Sequence, residues 1–292
     1  MKLPSAIESR RFAALVHAVA LTVTLAFMVS SAAAEELLTA LREEIVIIKK
    51  PGPFGIELEA TFYRPAGEGP FPLIVINHGK ESGNPRFQAR ARYPVAAREL
   101  VRRGYAVVIP MRQGFSKSQG SYIGGGCNVE SNGRVQAEDV AATLHQFERR
   151  PDIDARRVVV FGQSHGGLTT MAFGSLGLPN VVGLVNFAGG LRQENCMPWE
   201  PALAAAMGSY AKRTTAPSLW FYGDNDSYFT PAVWQDMYAQ YLANGGHARL
   251  VAFGTFGTDA HRMFGTQDGT RIWLPEVEKF FAELGLPFAS KE

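Results

Sequence analysis

The run Gly162-Gln163-Ser164-His165-Gly166-Gly167 follows the apolar stretch Val158-Val159-Val160-Phe161 and flanks one serine with a glycine two positions to either side. A serine hydroxyl is a weak nucleophile at neutral pH and becomes useful only when a neighbouring base takes its proton. The G-x-S-x-G spacing supplies the geometry for that. Glycines at both flanks let a strand turn sharply into a helix, which presents the serine on a strained corner while the first free N–H groups of the helix point at the same place. The chemistry implied is acyl transfer through Ser164.

The base must come from one of six histidines. His17 lies in the N-terminal segment and His145 in the helical stretch before the serine. His165 follows the serine directly and is expected to point away from it, and His247 precedes the last apolar strand. His261 follows that strand, on the loop Thr258-Asp259-Ala260-His261, from which an imidazole reaches the same edge of a sheet as Ser164. The third member of such a constellation holds the imidazole in one tautomer. The strand Leu219-Trp220-Phe221-Tyr222 runs into Gly223-Asp224-Asn225-Asp226, so two aspartates stand at a strand end between serine and histidine. The resulting order is serine, aspartate, histidine, with both Asp224 and Asp226 open at this point.

Elements that could position these residues alternate along the chain. Two β-rich runs, 44–49 and 56–63, flank Pro51-Gly52-Pro53 and are expected to form an antiparallel edge hairpin. Short apolar runs at 73–76, 105–109, 158–161, 181–187, 218–222 and 249–253 lack alternation, as strands buried on both faces do. Helical patterns at 93–103, 130–150, 167–173, 232–242 and 274–284 intervene, several of them closed by Gly or Pro. Strand and helix in alternation predict an α/β domain whose mostly parallel central sheet carries helices on both faces. Residues 190–216 form a longer excursion with a helix near 202–212, read either as a small lid or as a crossover helix with an extended loop.

The N-terminus has the features of an export signal. Lys2, Arg10 and Arg11 precede an uncharged stretch from Phe12 to Ala34 that ends in Ala32-Ala33-Ala34 before Glu35. The expected organisation is a signal peptide at 1–34 and one catalytic domain at 35–292. Without residues 1–34 the chain carries 26 basic and 26 acidic side chains, and it contains no Lys/Arg-rich run. That argues against a nucleic-acid partner and against stable membrane association once the signal is removed. The two cysteines, Cys127 and Cys196, lack metal-ligand spacing. In an oxidising compartment they are expected to pair as a disulfide. No metal and no cofactor is called for.

These motifs together resemble the α/β-hydrolase superfamily, and within it the dienelactone-hydrolase-like branch of small esterases. The resemblance runs from about residue 55 to 285, on Asn77-His78-Gly79, Arg112-Gln113-Gly114-Phe115-Ser116, the serine motif, Gly223-Asp224-Asn225-Asp226 and His261. It implies that the acid stands three residues after the glycine, at Asp226. It also implies an oxyanion hole made by the backbone N–H groups of Lys80 and His165. Arg112 resembles a structural residue and is expected to pair with a carboxylate.

The residues add reasons of their own for Asp226. Asp224 stays close to the strand end, where a capping or turn role suits it, and Asp259 is too near His261 along the chain for an in-plane bond to its ring. One departure matters: dienelactone hydrolases proper carry cysteine where this chain has Ser164, and Cys127 lacks the strand-turn-helix context. The substrate of that branch is therefore not inherited. The function expected is hydrolysis of a small-molecule carboxylic ester. A serine peptidase of the prolyl-oligopeptidase type is the alternative, with a non-catalytic hydrolase-fold binding protein behind it.

Overall fold

The computed structural model describes residues 36–52, 55–124, 126–193 and 195–288. The chain divides into Met1–Leu37 and Leu38–Glu292, and every element below belongs to the second unit. The segment expected to be a signal peptide lies outside the described residues.

Eight strands make one sheet: β1 (Glu44–Lys50), β2 (Ile56–Tyr63), β3 (Phe71–Asn77), β4 (Ala106–Pro110), β5 (Ile153–Gln163), β6 (Val181–Phe187), β7 (Ser218–Tyr222) and β8 (Ala248–Ala252). Their spatial order is β1-β2-β4-β3-β5-β6-β7-β8. β2 pairs antiparallel with β1 and β4, and every other pair is parallel. The edge hairpin shows in the burial: Ile45 and Ile47 face out from β1 while Ile48 is covered. The central strands are covered on both sides because successive residues feed two separate cores. Val158 and Val160 join Val75, Leu184 and Trp220 in one, whereas Val159 and Phe161 join Ile74, Val185 and Phe221 in the other.

Helices close both faces. α2 (Val129–Phe147), α3 (His165–Gly174), α4 (Trp199–Ala211) and α5 (Pro231–Ala243) cover the first, through residues such as Leu144, Met171, Met207 and Met237. α1 (Pro94–Arg102) and α6 (Thr270–Glu283) cover the second through Leu100, Trp273 and Phe281. α2 starts at the side-chain cap Asn128, whose Oδ1 accepts from Ser131 N at 2.8 Å. Satisfying an orphan N–H in this way is why Asn is favoured at a helix start.

The two readings of the 190–216 excursion now separate. α4 buries Leu203, Met207 and Tyr210 in the core between β6 and β7, so it is a crossover helix of the covering layer. Only the preceding loop borders the ligand side. Because β3, β5, β7 and β8 run parallel, the segments carrying Lys80, Ser164, Asp226 and His261 all leave the same carboxyl edge of the sheet. Clefts at that edge are where open α/β sheets bind ligands.

Candidate active site

The turn from β5 into α3 puts Ser164 at φ 57° and ψ −125°, a conformation that L-residues rarely adopt and that costs on the order of 1–3 kcal/mol. Four backbone bonds hold it there: Ser164 N donates to Phe187 O at 2.9 Å, and Ser164 O accepts from Gly167 N at 2.8 Å, Gly190 N at 3.0 Å and Leu168 N at 3.2 Å. The flanking glycines are required by contact. A Cβ on Gly162 would overlap the Gly166 carbonyl, and one on Gly166 would overlap the Asn77 carbonyl at the end of β3. The second contact explains why the elbow and the His78-Gly79-Lys80 loop lie side by side.

Among the described residues, neither the Lys80 amide nor the His165 amide has a hydrogen-bond acceptor. The His165 amide opens α3, where the helix dipole adds positive potential. The histidine side chains beside these amides point elsewhere. His165 is 1% exposed, with Nε2 at 2.6 Å from Asn132 Oδ1 and Nδ1 at 3.1 Å from Arg112 Nη2. An amide oxygen only accepts and a guanidinium only donates, so the ring is neutral with its proton on Nε2. His78 is also buried; its Nδ1 donates to Gly79 O at 2.6 Å and its Nε2 accepts from Arg112 N at 3.4 Å. Burial, helped by the charge of Arg112, pushes both imidazoles well below the ordinary histidine range. These two histidines are fixed, uncharged struts.

On the other side of Ser164, His261 Nδ1 donates to both oxygens of Asp226, at 3.0 and 3.1 Å. The carboxylate is fully buried and is held by the Tyr228 and Phe229 amides, which donate to Oδ1 at 2.8 and 3.0 Å. With its proton committed to Nδ1, the imidazole keeps a lone pair on Nε2. His261 and Ser164 line the same cleft of about 620 Å³. The histidine stands in a short 3-10 helix, Ala260–Gly265, where the sequence pattern gives a loop. Asp259 caps that helix: it accepts from His261 N at 3.0 Å and from Ser227 Oγ at 2.8 Å, and these bonds to its charged form hold its pKa down against burial. Asp224 is exposed, and its amide donates to Gly254 O at 2.9 Å. Of the three aspartates, the structure brings Asp226 to the imidazole ring.

A second cleft, of about 770 Å³, shares Ser164, Lys80 and Tyr228 with the first and runs on past Tyr122 and Phe229 to the cysteines. Cys127 and Cys196 form a disulfide across 69 residues of chain, tying the loop before α2 to the loop before α4 at the rim of this cleft. Among the described residues, no cluster of His, Cys, Asp or Glu converges as metal ligands would.

Two residues that matter here, Tyr93 and Gln163, were given no role by sequence. Tyr93 Oη accepts from Gly79 N at 3.2 Å and donates to Gln163 Oε1 at 2.9 Å, while Gln163 Nε2 donates to His261 O at 2.9 Å. One chain of bonds thus connects the Lys80 loop to the His261 loop. Gln163 carried a signal, as the residue next to Ser164 in the motif; Tyr93 carried none. The Tyr228 ring lies over His261, centroid to centroid 4.5 Å. One expectation is corrected: Arg112 is fully buried but has no carboxylate at ion-pair distance among the described residues, because its guanidinium meets Gln136 and His165 instead.

Comparison with known proteins fits this architecture. A family model described as X-Pro dipeptidyl-peptidase (S15 family) matches residues 55–191, from the turn before β2 to the loop after β6. The acylaminoacyl peptidase of Pyrococcus horikoshii superposes with a TM-score of 0.64 at 17% identity, over 87% of this chain and 43% of that one. A Klebsiella pneumoniae protein described as a dienelactone hydrolase superposes at 0.59 and 18% identity, over 82% of this chain and 99% of its own. The fold is that of the α/β-hydrolases. A Pyrococcus furiosus esterase shares it too, at a TM-score of 0.60 and 15% identity, over 86% of this chain and 95% of its own. The chain thus spans the length of small members of the fold and about two-fifths of the acylaminoacyl peptidase.

Proposed function

We propose that this α/β-hydrolase is a serine hydrolase that cleaves carboxylic esters of small molecules through an acyl-enzyme on Ser164. His261 takes the Ser164 proton and returns it to the departing alcohol. Asp226 holds the imidazole in the required tautomer and stabilises the imidazolium. The Lys80 and His165 amides bind the oxyanion of the tetrahedral intermediate, and water then hydrolyses the acyl-enzyme with His261 again as base. The observation that carries this reading is the anchored Asp226 carboxylate bonded to His261 Nδ1, at a cleft lined also by a serine at φ 57°. Because His261 lines the smaller cleft, the leaving alcohol belongs there, and the acyl group belongs in the larger cleft.

A peptidase reading draws on the S15 match and on the acylaminoacyl peptidase. That match ends before Asp226 and His261, and the superposition takes in under half of the peptidase. The esterase and the dienelactone hydrolase correspond over nearly their whole length, which favours the ester. Kinetics on p-nitrophenyl acyl esters against Xaa-Pro p-nitroanilides separates the two. Ester turnover far above anilide turnover is expected; the reverse ranking makes the protein a peptidase.

The same proposal includes export, with residues 1–34 removed as a signal and the mature chain beginning at or near Glu35. The disulfide fits an oxidising compartment. Among the described residues, no helix is long and apolar enough to cross a membrane. N-terminal sequencing of protein from the native host checks the cleavage point.

A further inference from the structure

Arg112 is a cation buried without an anion. Its side chain is fully enclosed. Nε donates to Gln136 Oε1 at 3.1 Å, Nη2 donates to His165 Nδ1 at 3.1 Å, and Nη1 has no acceptor among the described residues. The Phe115 ring lies 5.2 Å from Cζ. Asp139 acts on it only through space, being itself paired with Lys50 at 2.7 Å. Desolvation brings Arg112 down to about 10, which still leaves it charged at neutral pH.

Burying a charge is unfavourable unless something of opposite sign repays it, and a well-packed apolar side chain would serve a purely structural role better. The position of Arg112 shows what that something is. Its side chain touches His165, whose amide opens α3 next to Ser164, and its own amide donates to His78 Nε2 at 3.4 Å, in the loop that carries the Lys80 amide. One residue therefore holds His78 and His165, which adjoin the two amides proposed to bind the oxyanion. Both intervening imidazoles are neutral, so neither cancels its field, and a low-dielectric interior screens that field little.

We propose that Arg112 is a positioning residue of the oxyanion site, an unneutralised guanidinium whose electrostatic partner is the negative charge that appears on the tetrahedral intermediate. This rests on the reading of Ser164, Lys80 and His165 given above. The charge exists only while the intermediate does, so Arg112 acts on kcat and leaves KM alone.

Gln136→Glu tests this best. It keeps an oxygen acceptor for Arg112 Nε and adds the missing counter-charge, giving up only the 3.3 Å bond from Gln136 Nε2 to Ile123 O, so a merely structural arginine would leave activity intact. The proposal expects a folded variant with a thermal midpoint near wild type and kcat for a p-nitrophenyl ester down roughly tenfold, a fraction of what a full oxyanion donor supplies. Arg112→Met and Arg112→Lys give a second arm. The Met variant should lose roughly 30-fold in kcat at unchanged KM, with matching loss of affinity for a boronic acid that forms an anionic tetrahedral adduct, and the Lys variant should recover most of both. Full kcat in Gln136→Glu overturns the proposal, as do equal losses in the Met and Lys variants or a loss carried by KM. An inert wild type would remove the underlying reading of Ser164, whereas an active wild type with a fully active Gln136→Glu removes only the role of Arg112.

Discussion

On one flank of Ser164, His78 and His165 lie buried, the first bonded to the Arg112 amide and the second to its guanidinium; on the other, His261 lines the cleft with a carboxylate behind it. The three rings are chemically identical, and their surroundings divide the work. Beside Arg112 and away from water, protonation of an imidazole is opposed twice, so those rings serve as neutral hydrogen-bonding struts that hold the two amides. Beside Asp226, the imidazolium that the proposed proton transfer would create has a ready partner. In the proposed mechanism, the oxyanion flank is thus built from groups that must not change charge, and the base flank from a group that must.

Variants on the base flank should show the largest effects. His261→Ala removes the base and is expected to lower kcat roughly 10⁵-fold without unfolding the chain. Asp226→Asn keeps the shape but favours the wrong tautomer, at about four decades in kcat. Asp259→Asn loses part of a cap, costing about 1 kcal/mol of stability and less than about tenfold in kcat. If Asp259→Asn or Asp224→Asn suffered the large kinetic loss while Asp226→Asn stayed near wild type, the assignment of the acid would fall.

The oxyanion flank should respond in stability instead. His78 and His165 have folded-state pKa values well below the ordinary 6.5, so below pH 6.5 the unfolded chain binds protons that the folded chain refuses. Stability is then full above about pH 6.5 and falls as the pH drops below it, by on the order of 1 kcal/mol per pH unit for each histidine. Urea titrations between pH 7 and 5 measure the slope. His165→Gln should reduce it and lower stability at pH 7 by about 1–3 kcal/mol, while kcat stays within about tenfold because the amide is kept. An unchanged slope would mean that His165 is not the neutral strut described.

Two further effects sharpen the picture at the cleft itself. Reducing the Cys127–Cys196 bridge should cost up to about 4 kcal/mol on the chain-entropy account, read as a lower thermal midpoint with both thiols open to alkylation. Tyr228→Ala removes a ring packed at a tilt against His261 and should lower kcat by only a few-fold, since such contacts are worth about 1 kcal/mol.

How much of this was legible in sequence follows from how local each feature is. The elbow was readable because strand, glycine, serine and helix are contiguous, and the central strands because burial on both faces leaves an unbroken apolar run. Asp226 and His261 could be placed because parallel strands bring their carboxyl ends to one edge. Arg112 was misread. Its partners Gln136 and His165 lie 24 and 53 residues away, and nothing near Arg112 in sequence distinguishes an arginine with a carboxylate from one without. Helix starts also drifted. α4 begins at Trp199 and α6 at Thr270, several residues ahead of the apolar pattern, because a first turn half open to water needs little periodicity.

The central claim is that Ser164 is the nucleophile, and covalent labelling tests it most directly. Purified protein should react with a fluorophosphonate in a one-to-one ratio, and peptide mass spectrometry should place the adduct on Ser164, with labelling and ester turnover disappearing together. Ser164→Ala should remain folded and take no label. An adduct on any other residue, or an unlabelled wild type that still hydrolyses esters, would contradict the account.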